Sequence, residues 1–193
     1  MPPRPGTFRT VEVLEVIEEA RGITTLRFRD PLCASAQPGQ FVMVYVPGLE
    51  EVPMSLSAIG PGLRAAITVK AVGETTRALS ELRPGSRLGL RGPFGRGFRL
   101  VGRRPLVVGG GVGLAPLMPL VELMASSGLR PTLVMGAKTA DELPFLARAR
   151  RILGPERVDV ATEDGSLGFK GLATELAERY LSTGHYDALY ACG

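Results

Sequence analysis

The sequence has no tryptophan, one histidine (His185) and two cysteines (Cys33 and Cys192) in 193 residues. Two cysteines cannot build a disulfide framework, and no CxxC pair exists for a zinc ribbon or a thioredoxin-type site. With a single imidazole, a histidine-rich metal centre or a histidine-activated nucleophile would have to be built around position 185. No apolar run approaches the ~20 residues of a membrane helix. The opening MPPRPGTFRT lacks the hydrophobic stretch of a secretory signal, so a cytoplasmic location is expected. Lysine is scarce too: of 23 basic residues only Lys70, Lys138 and Lys170 are lysines, which leaves 20 arginines. No dense basic block interleaved with aromatics appears, which argues against nucleic acid as a partner.

What is present describes a folding chain. It is 45% hydrophobic and 22% charged with a net charge of +4, far from a disordered profile. Its length suits one large domain or two compact ones. The 25 glycines and 16 prolines call for many tight turns.

The pattern changes character near residue 100. Before it, short strands are expected at Thr10 to Val16, Ile23 to Arg29, Phe41 to Val46, Met54 to Ile59, Arg64 to Val72 and Arg87 to Arg91. They are punctuated by PGQ, PGLEEVP, GPG, RPGS and GPFGRG, with one helix at Thr75 to Glu81. That is the rhythm of an antiparallel β-barrel or sandwich. After it the pattern alternates. Strands at Pro105 to Gly109, Thr132 to Met135, Val158 to Ala161 and Ala188 to Cys192 flank helices at Pro116 to Ser126, Asp141 to Ile152 and Leu172 to Tyr180. An alternating βαβ order implies a parallel sheet with right-handed crossovers. The joint lies at Leu100 to Arg104, giving domains 1–100 and 101–193.

The sharpest local signal is Gly109-Gly110-Gly111-Val112-Gly113-Leu114-Ala115-Pro116, between a strand and a helix. Glycines let a diphosphate approach the backbone, and the helix start offers free N–H groups and a positive dipole end. The spacing Gly111-x-Gly113-x-x-Pro116 puts proline where the common dinucleotide fingerprint has its third glycine, a residue favoured at a first helical position. A Walker-type phosphate loop is excluded, since no Gly-Lys-Ser/Thr follows. A ligand-free turn is the bland alternative. In the first half, Val52-Pro53-Met54-Ser55-Leu56-Ser57 reads as a strand entered through proline. Lys70-Ala71-Val72-Gly73-Glu74-Thr75-Thr76 reads as a strand, a turn and a helix capped by Thr75 or Thr76. Gly92-Pro93-Phe94-Gly95 reads as a turn. His185 falls in a helix-to-strand loop, Cys33 reads as a small loop or core residue, and Cys192 is small enough to serve packing alone.

Together, in order and over nearly the whole chain, these segments resemble the ferredoxin reductase superfamily. Gly136-Ala137-Lys138 and the terminal Tyr190-Ala191-Cys192-Gly193 belong to the same pattern. Within it the chain is most similar to the electron-transfer subunits of class B dihydroorotate dehydrogenase, through Thr162-Glu163-Asp164-Gly165-Ser166-Leu167-Gly168-Phe169-Lys170-Gly171. The resemblance implies an FAD-binding barrel followed by a Rossmann-like NAD-binding domain. It implies electrons passing from a catalytic dihydroorotate dehydrogenase subunit through FAD to NAD, and a homodimer within that hetero-oligomer. Ser55 and Cys192 would face the reacting rings, with Ser55 near flavin N5. Pro53, Met54 and Leu56 would line the flavin, and Val69, Lys70, Gly73, Thr75 and Thr76 would hold its ribityl and diphosphate. Gly110, Gly111, Val112, Gly113 and Pro116 would take the nicotinamide cofactor's diphosphate, with Lys138, Asp164 and Gly193 completing that site.

Two departures stand out. The family places arginine before the proline of the flavin strand, where this chain has Val52. The subfamily also continues into a cysteine cluster for a two-iron two-sulfur centre, whereas this sequence stops at Gly193. The expectation is therefore that the natural chain runs further. A generic reductase for another redox partner, or a non-catalytic module that has lost flavin, are the alternatives. The residues leave NAD and NADP open, since Lys138 could meet a 2′-phosphate and Asp141 a free ribose hydroxyl.

Overall fold

The computed structural model describes residues 4, 6–60, 62 and 64–193, so Pro61 of the expected Gly60-Pro61-Gly62 turn lies outside the described residues. The chain divides into two compact units, Met1–Phe98 and Arg99–Gly193.

In the first unit six strands close into a barrel: β1 (Arg9–Ala20), β2 (Ile23–Arg29), β3 (Phe41–Tyr45), β4 (Val52–Ile59), β5 (Arg64–Lys70) and β6 (Arg87–Phe94). Their order is β1-β2-β5-β4-β3-β6, with every pairing antiparallel. Alternation along each strand sends one face inward. Val11, Val13, Leu26, Phe28, Val42, Val44, Leu56, Ile67, Val69, Leu88 and Leu90 make that core. Two short helices, α1 (Pro31–Ala34) and α2 (Glu74–Ser80), add Cys33 and Leu79 to it. The sequence reading passes over α1 because four residues carry no periodicity. Its start is nonetheless encoded: Asp30 accepts the Cys33 N–H at 2.8 Å, and Pro31 fills the first position.

The second unit is a parallel sheet of β7 (Pro105–Gly110), β8 (Thr132–Ala137), β9 (Val158–Thr162), β10 (Phe169–Lys170) and β11 (Ala188–Cys192). The order is β10-β9-β8-β7-β11, with helices α3 (Leu114–Ser126), α4 (Leu146–Leu153) and α5 (Ala173–Ser182). β7 and β8 are buried almost without a break, as strands covered on both faces must be. The fold class is thus the expected barrel plus α/β sheet.

Boundaries differ where proline intervenes. The helix expected at Asp141 to Ile152 is interrupted: a 3-10 turn at Ala140–Glu142 ends in extended Leu143, and Phe145 takes φ 66° before α4 begins. Pro144 is the cause, because a residue preceding proline is pushed out of the α region. Conversely, α3 starts at Leu114 rather than Pro116, since any first-turn N–H lacks an intrahelical partner and proline loses nothing there. The two-residue β10 is too short to show a period.

The entry to β7 is pinned to β11. The Tyr190 hydroxyl donates to the Arg99 carbonyl and accepts the Val101 N–H, both at 2.8 Å. Asp187 accepts the N–H groups of Arg103 at 2.8 Å and Arg104 at 2.7 Å.

Candidate functional site

β8, β9 and β10 follow β7 on one side and β11 returns on the other, so the strand order reverses beside β7. In open parallel sheets the crevice at the carboxyl ends of the strands flanking such a reversal is where ligands bind. The glycine turn stands there. A Cβ on Gly109 would sit 2.6 Å from Leu114 Cδ2, so that glycine allows α3 to lie close on the strand. Gly111 takes φ 52°, in the left-handed region that favours glycine. A Cβ on Gly113 would meet Gly193 Cα at 2.5 Å and the Cys192 carbonyl at 2.6 Å, which brings the end of β11 against the turn. Around Gly110 and Gly111, by contrast, the Cβ positions face open space. The structure thus gathers Gly110, Gly111, Val112, Gly113, half-buried Cys192 and Gly193 at the start of a 13-residue helix. Pro116 lies buried in that helix's first turn.

Farther along the same sheet edge, exposed Lys138 follows β8 and exposed Asp164 follows β9. The two loops are joined. Glu163 N–H donates to Ala137 O and Asp164 N–H to Lys138 O, each at 3.2 Å, and Ala140 N–H donates to Ser166 Oγ at 2.8 Å. Asp164 Oδ1 accepts both the hydroxyl and the N–H of Ser166, at 2.7 and 2.9 Å. Those bonds hold the Asp164 carboxyl below its ordinary range. Thr139 and Asp141 are bonded to each other through their side chains.

In the barrel, Met43 pairs with Pro53 and Phe41 with Ser55. Phe41 and Met43 alternate with buried Val42 and Val44, so Pro53 and Ser55 share the outer wall. Val52 and Met54 pack against the core instead, and Leu56 and Val69 are wholly inside it. Leu56 and Val69, expected at the flavin, are 0% exposed and so offer a ligand no surface, because alternation turns both into the core. Lys70 ends β5, half-buried. Gly73 is the cap residue of α2, and the Thr76 hydroxyl, in the first turn, reaches back to accept the Gly73 N–H at 2.8 Å and the Val72 N–H at 3.1 Å. Thr75 instead donates to the Glu50 carbonyl at 3.2 Å. That bond sets the α2 start at the entry to β4. From Val52, where β4 begins, to Ser55 is three residues, about 10 Å at a rise of ~3.3 Å per residue.

Val52 leaves no cation on its own side chain, but Arg91 stands nearby. Arg91 pairs with Met43 and so shares the outer row with Pro53. It makes two bonds to the Glu51 carboxylate, one of them Nε to Oε1 at 3.0 Å, and that contact holds the Glu51 carboxyl below the usual range. A second ion pair of the barrel is sealed: Arg9 Nε donates to Asp30 at 2.7 Å and its NH2 to the Gly92 carbonyl at 2.9 Å. Burial alone would raise the Asp30 carboxyl, yet the bonds from Arg9 and the Cys33 N–H outweigh it and leave it lowered. Burial, with Asp30 alongside, raises the Cys33 thiol, so Cys33 is an inert core residue.

Among the described residues, no three His, Cys, Asp or Glu side chains gather to hold a metal, and no helix is long and apolar enough to cross a membrane. The sequence reading gives no site role to Phe41, or to Ser166 within the Thr162 to Gly171 loop. Phe41 owes its place to partners on other strands, and Ser166 bonds both its neighbour Asp164 and Ala140 after β8.

No protein-family model matches the chain. Curated relatives do. A Thermoplasma volcanium protein named probable dihydroorotate dehydrogenase B (NAD(+)), electron transfer subunit, is 41% identical over 184 residues, covering 95% of this chain and 67% of the relative. A Methanocaldococcus jannaschii protein of the same name is 35% identical over 181 residues, covering 94% and 66%. This chain therefore spans about two thirds of the length of those relatives. Among solved structures, an NADH-dependent reduced ferredoxin-NADP oxidoreductase described for flavin-based electron bifurcation matches with TM-score 0.84 and 29% identity, covering 95% of this chain and 67% of that one. Phthalate dioxygenase reductase, at TM-score 0.72 and 19% identity over 99% of this chain and 70% of that one, shares the fold. The chain belongs to the family of dihydroorotate dehydrogenase B (NAD(+)) electron transfer subunits.

Proposed function

We propose that this chain holds FAD on its barrel and NAD on its parallel-sheet unit, and passes electrons that it takes from a catalytic dihydroorotate dehydrogenase subunit. One observation supports the reading most directly. The glycine turn at the strand-order reversal leaves open space at Gly110 and Gly111 immediately before a long helix, which suits a diphosphate.

When bound, flavin and nicotinamide supply the hydride chemistry themselves, so the protein needs neither acid, base nor metal at the reacting atoms. Its task is to bind, orient and exclude water. Ser55 presents a hydroxyl on the outer wall for the flavin, with Pro53 beside it and Met54 steadying the strand from the core side. Lys70, Gly73, Thr75 and Thr76 would hold the ribityl and diphosphate near the entry to β4. Gly110, Gly111, Val112 and Gly113 would receive the NAD diphosphate, and Pro116 shapes the helix start behind them. Lys138 and Asp164, on their joined loops, would meet the ribose. Cys192 and Gly193 would border the nicotinamide. A two-iron two-sulfur cluster finds no ligand set among the described residues. The proposed assembly joins a homodimer of this chain to the catalytic subunits.

The test is spectroscopic. The purified chain, reconstituted with FAD, should show a flavin band that bleaches when NADH is added without oxygen. A colourless protein that takes up no FAD overturns the proposal.

A further inference from the structure

Gly92-Pro93-Phe94-Gly95 has no part in the function above, and the barrel register gives it one. Phe94 pairs with Phe41 across β6 and β3, and Phe41 pairs with Ser55 across β3 and β4. The three therefore form one row on the outer wall. A register shift between Phe41 and Met43 is what carries Phe94 into that row. The two phenyl rings are 5.9 Å apart and tilted by 48°, a favourable aromatic contact. Gly95 follows with φ 77°, where a Cβ would lie 3.2 Å from the Phe41 ring, so the chain leaves β6 close over that ring. Gln40 Nε2 donates to the Gly95 carbonyl at 2.9 Å and secures the crossing.

Three buried hydroxyls inside this barrel are spent on one another. Thr25 and Thr68 are 2.7 Å apart, and Thr68 donates to Ser57 at 2.8 Å. Ser55 differs: its hydroxyl makes no hydrogen bond with the described residues. A half-buried hydroxyl left over beside two half-buried phenyl rings suits a flat aromatic ligand with one polar edge. A phosphate would gain nothing from the rings.

We infer that Phe41 and Phe94 form the aromatic wall of the flavin site, with Phe41 touching the isoalloxazine beside the Ser55 hydroxyl. This rests on the flavin reading above. The test titrates the full chain with FAD by fluorescence, records the visible band of the bound flavin, and measures ADP affinity as a probe of the diphosphate half. Phe41→Leu should weaken FAD about tenfold, near the upper end of what an aromatic contact contributes. It should also shift the visible band and leave ADP affinity unchanged. Phe94→Leu should do the same to a smaller extent, and Phe41→Tyr, which keeps the ring, should restore wild-type binding. Wild-type affinity and an unshifted band in Phe41→Leu overturn the inference while the flavin reading stands. Should Phe41→Leu fail to fold, an unchanged band and affinity in Phe94→Leu overturn it instead. A wild-type chain that takes up no flavin removes both.

Discussion

The two units place their candidate residues by opposite means. The parallel sheet gathers them at one edge, in the loops that follow β7, β8 and β9 and at the end of β11, so each piece of the site is a run of neighbouring residues. The barrel spreads them over a wall, where Phe94, Phe41 and Ser55 meet only through strand register. A loop site can be read as a motif. A wall site requires knowing which strand lies beside which. The same contrast runs through their supports: the barrel is held by a sealed ion pair joining β1 to the loop after β2 and to β6, whereas the sheet edge is held by exposed loop-to-loop hydrogen bonds.

The largest effect that would sharpen this comparison is on the barrel's ion pair. Arg9→Leu leaves a carboxylate only 2% exposed without its partner, so denaturant unfolding should show a loss of ~3–5 kcal/mol. The sign of the pH dependence follows from Asp30. Its folded carboxyl is lowered, so the stabilisation is present above the unfolded value of about 3.9 and is lost as pH falls through the lower folded value. Arg9→Leu should flatten that acid limb. An unchanged limb, or a loss below about 1 kcal/mol, would mean the pair is not a barrel support.

Next in size is Gly113→Ala. Its Cβ would fall 2.5 Å from Gly193 Cα, a backbone contact that cannot swing aside, so the turn must shift. NADH affinity, read by titration of the FAD-loaded chain, should fall about tenfold, or ~1.4 kcal/mol, while FAD content stays constant. If both cofactors weaken together, the two sites are not separable as described.

The smallest effect belongs to Ser166→Ala. It removes the bond from the Ala140 N–H and one bond to Asp164, both exposed, so NADH KM should rise only about two- to threefold with kcat unchanged. A kcat loss without a KM change would place Ser166 closer to the chemistry than its geometry does.

Much of this was legible beforehand, and the legible part was the local part. The strand-Gly-helix order at Pro105 to Ser126, the helix after the Gly73 turn and the change from strand rhythm to βαβ rhythm near residue 100 follow from neighbouring residues. Short pieces escaped: α1 and β10 are below one period, and Pro144 broke a helix whose apolar spacing looked continuous. Met54 shows the other limit. Its motif neighbours Pro53 and Ser55 face outward, while Met54 packs on the core, a division that alternation allows but does not orient.

By itself the sequence determined the two fold classes and the glycine turn, because backbone sterics and hydrophobic period act over a few residues. Only the tertiary structure decided that Phe41, Phe94 and Ser55 share a wall, that Arg91 stands beside a strand carrying Val52, and that Cys192 and Gly193 close on Gly113. Those are matters of register and strand order, set by contacts between residues tens of positions apart.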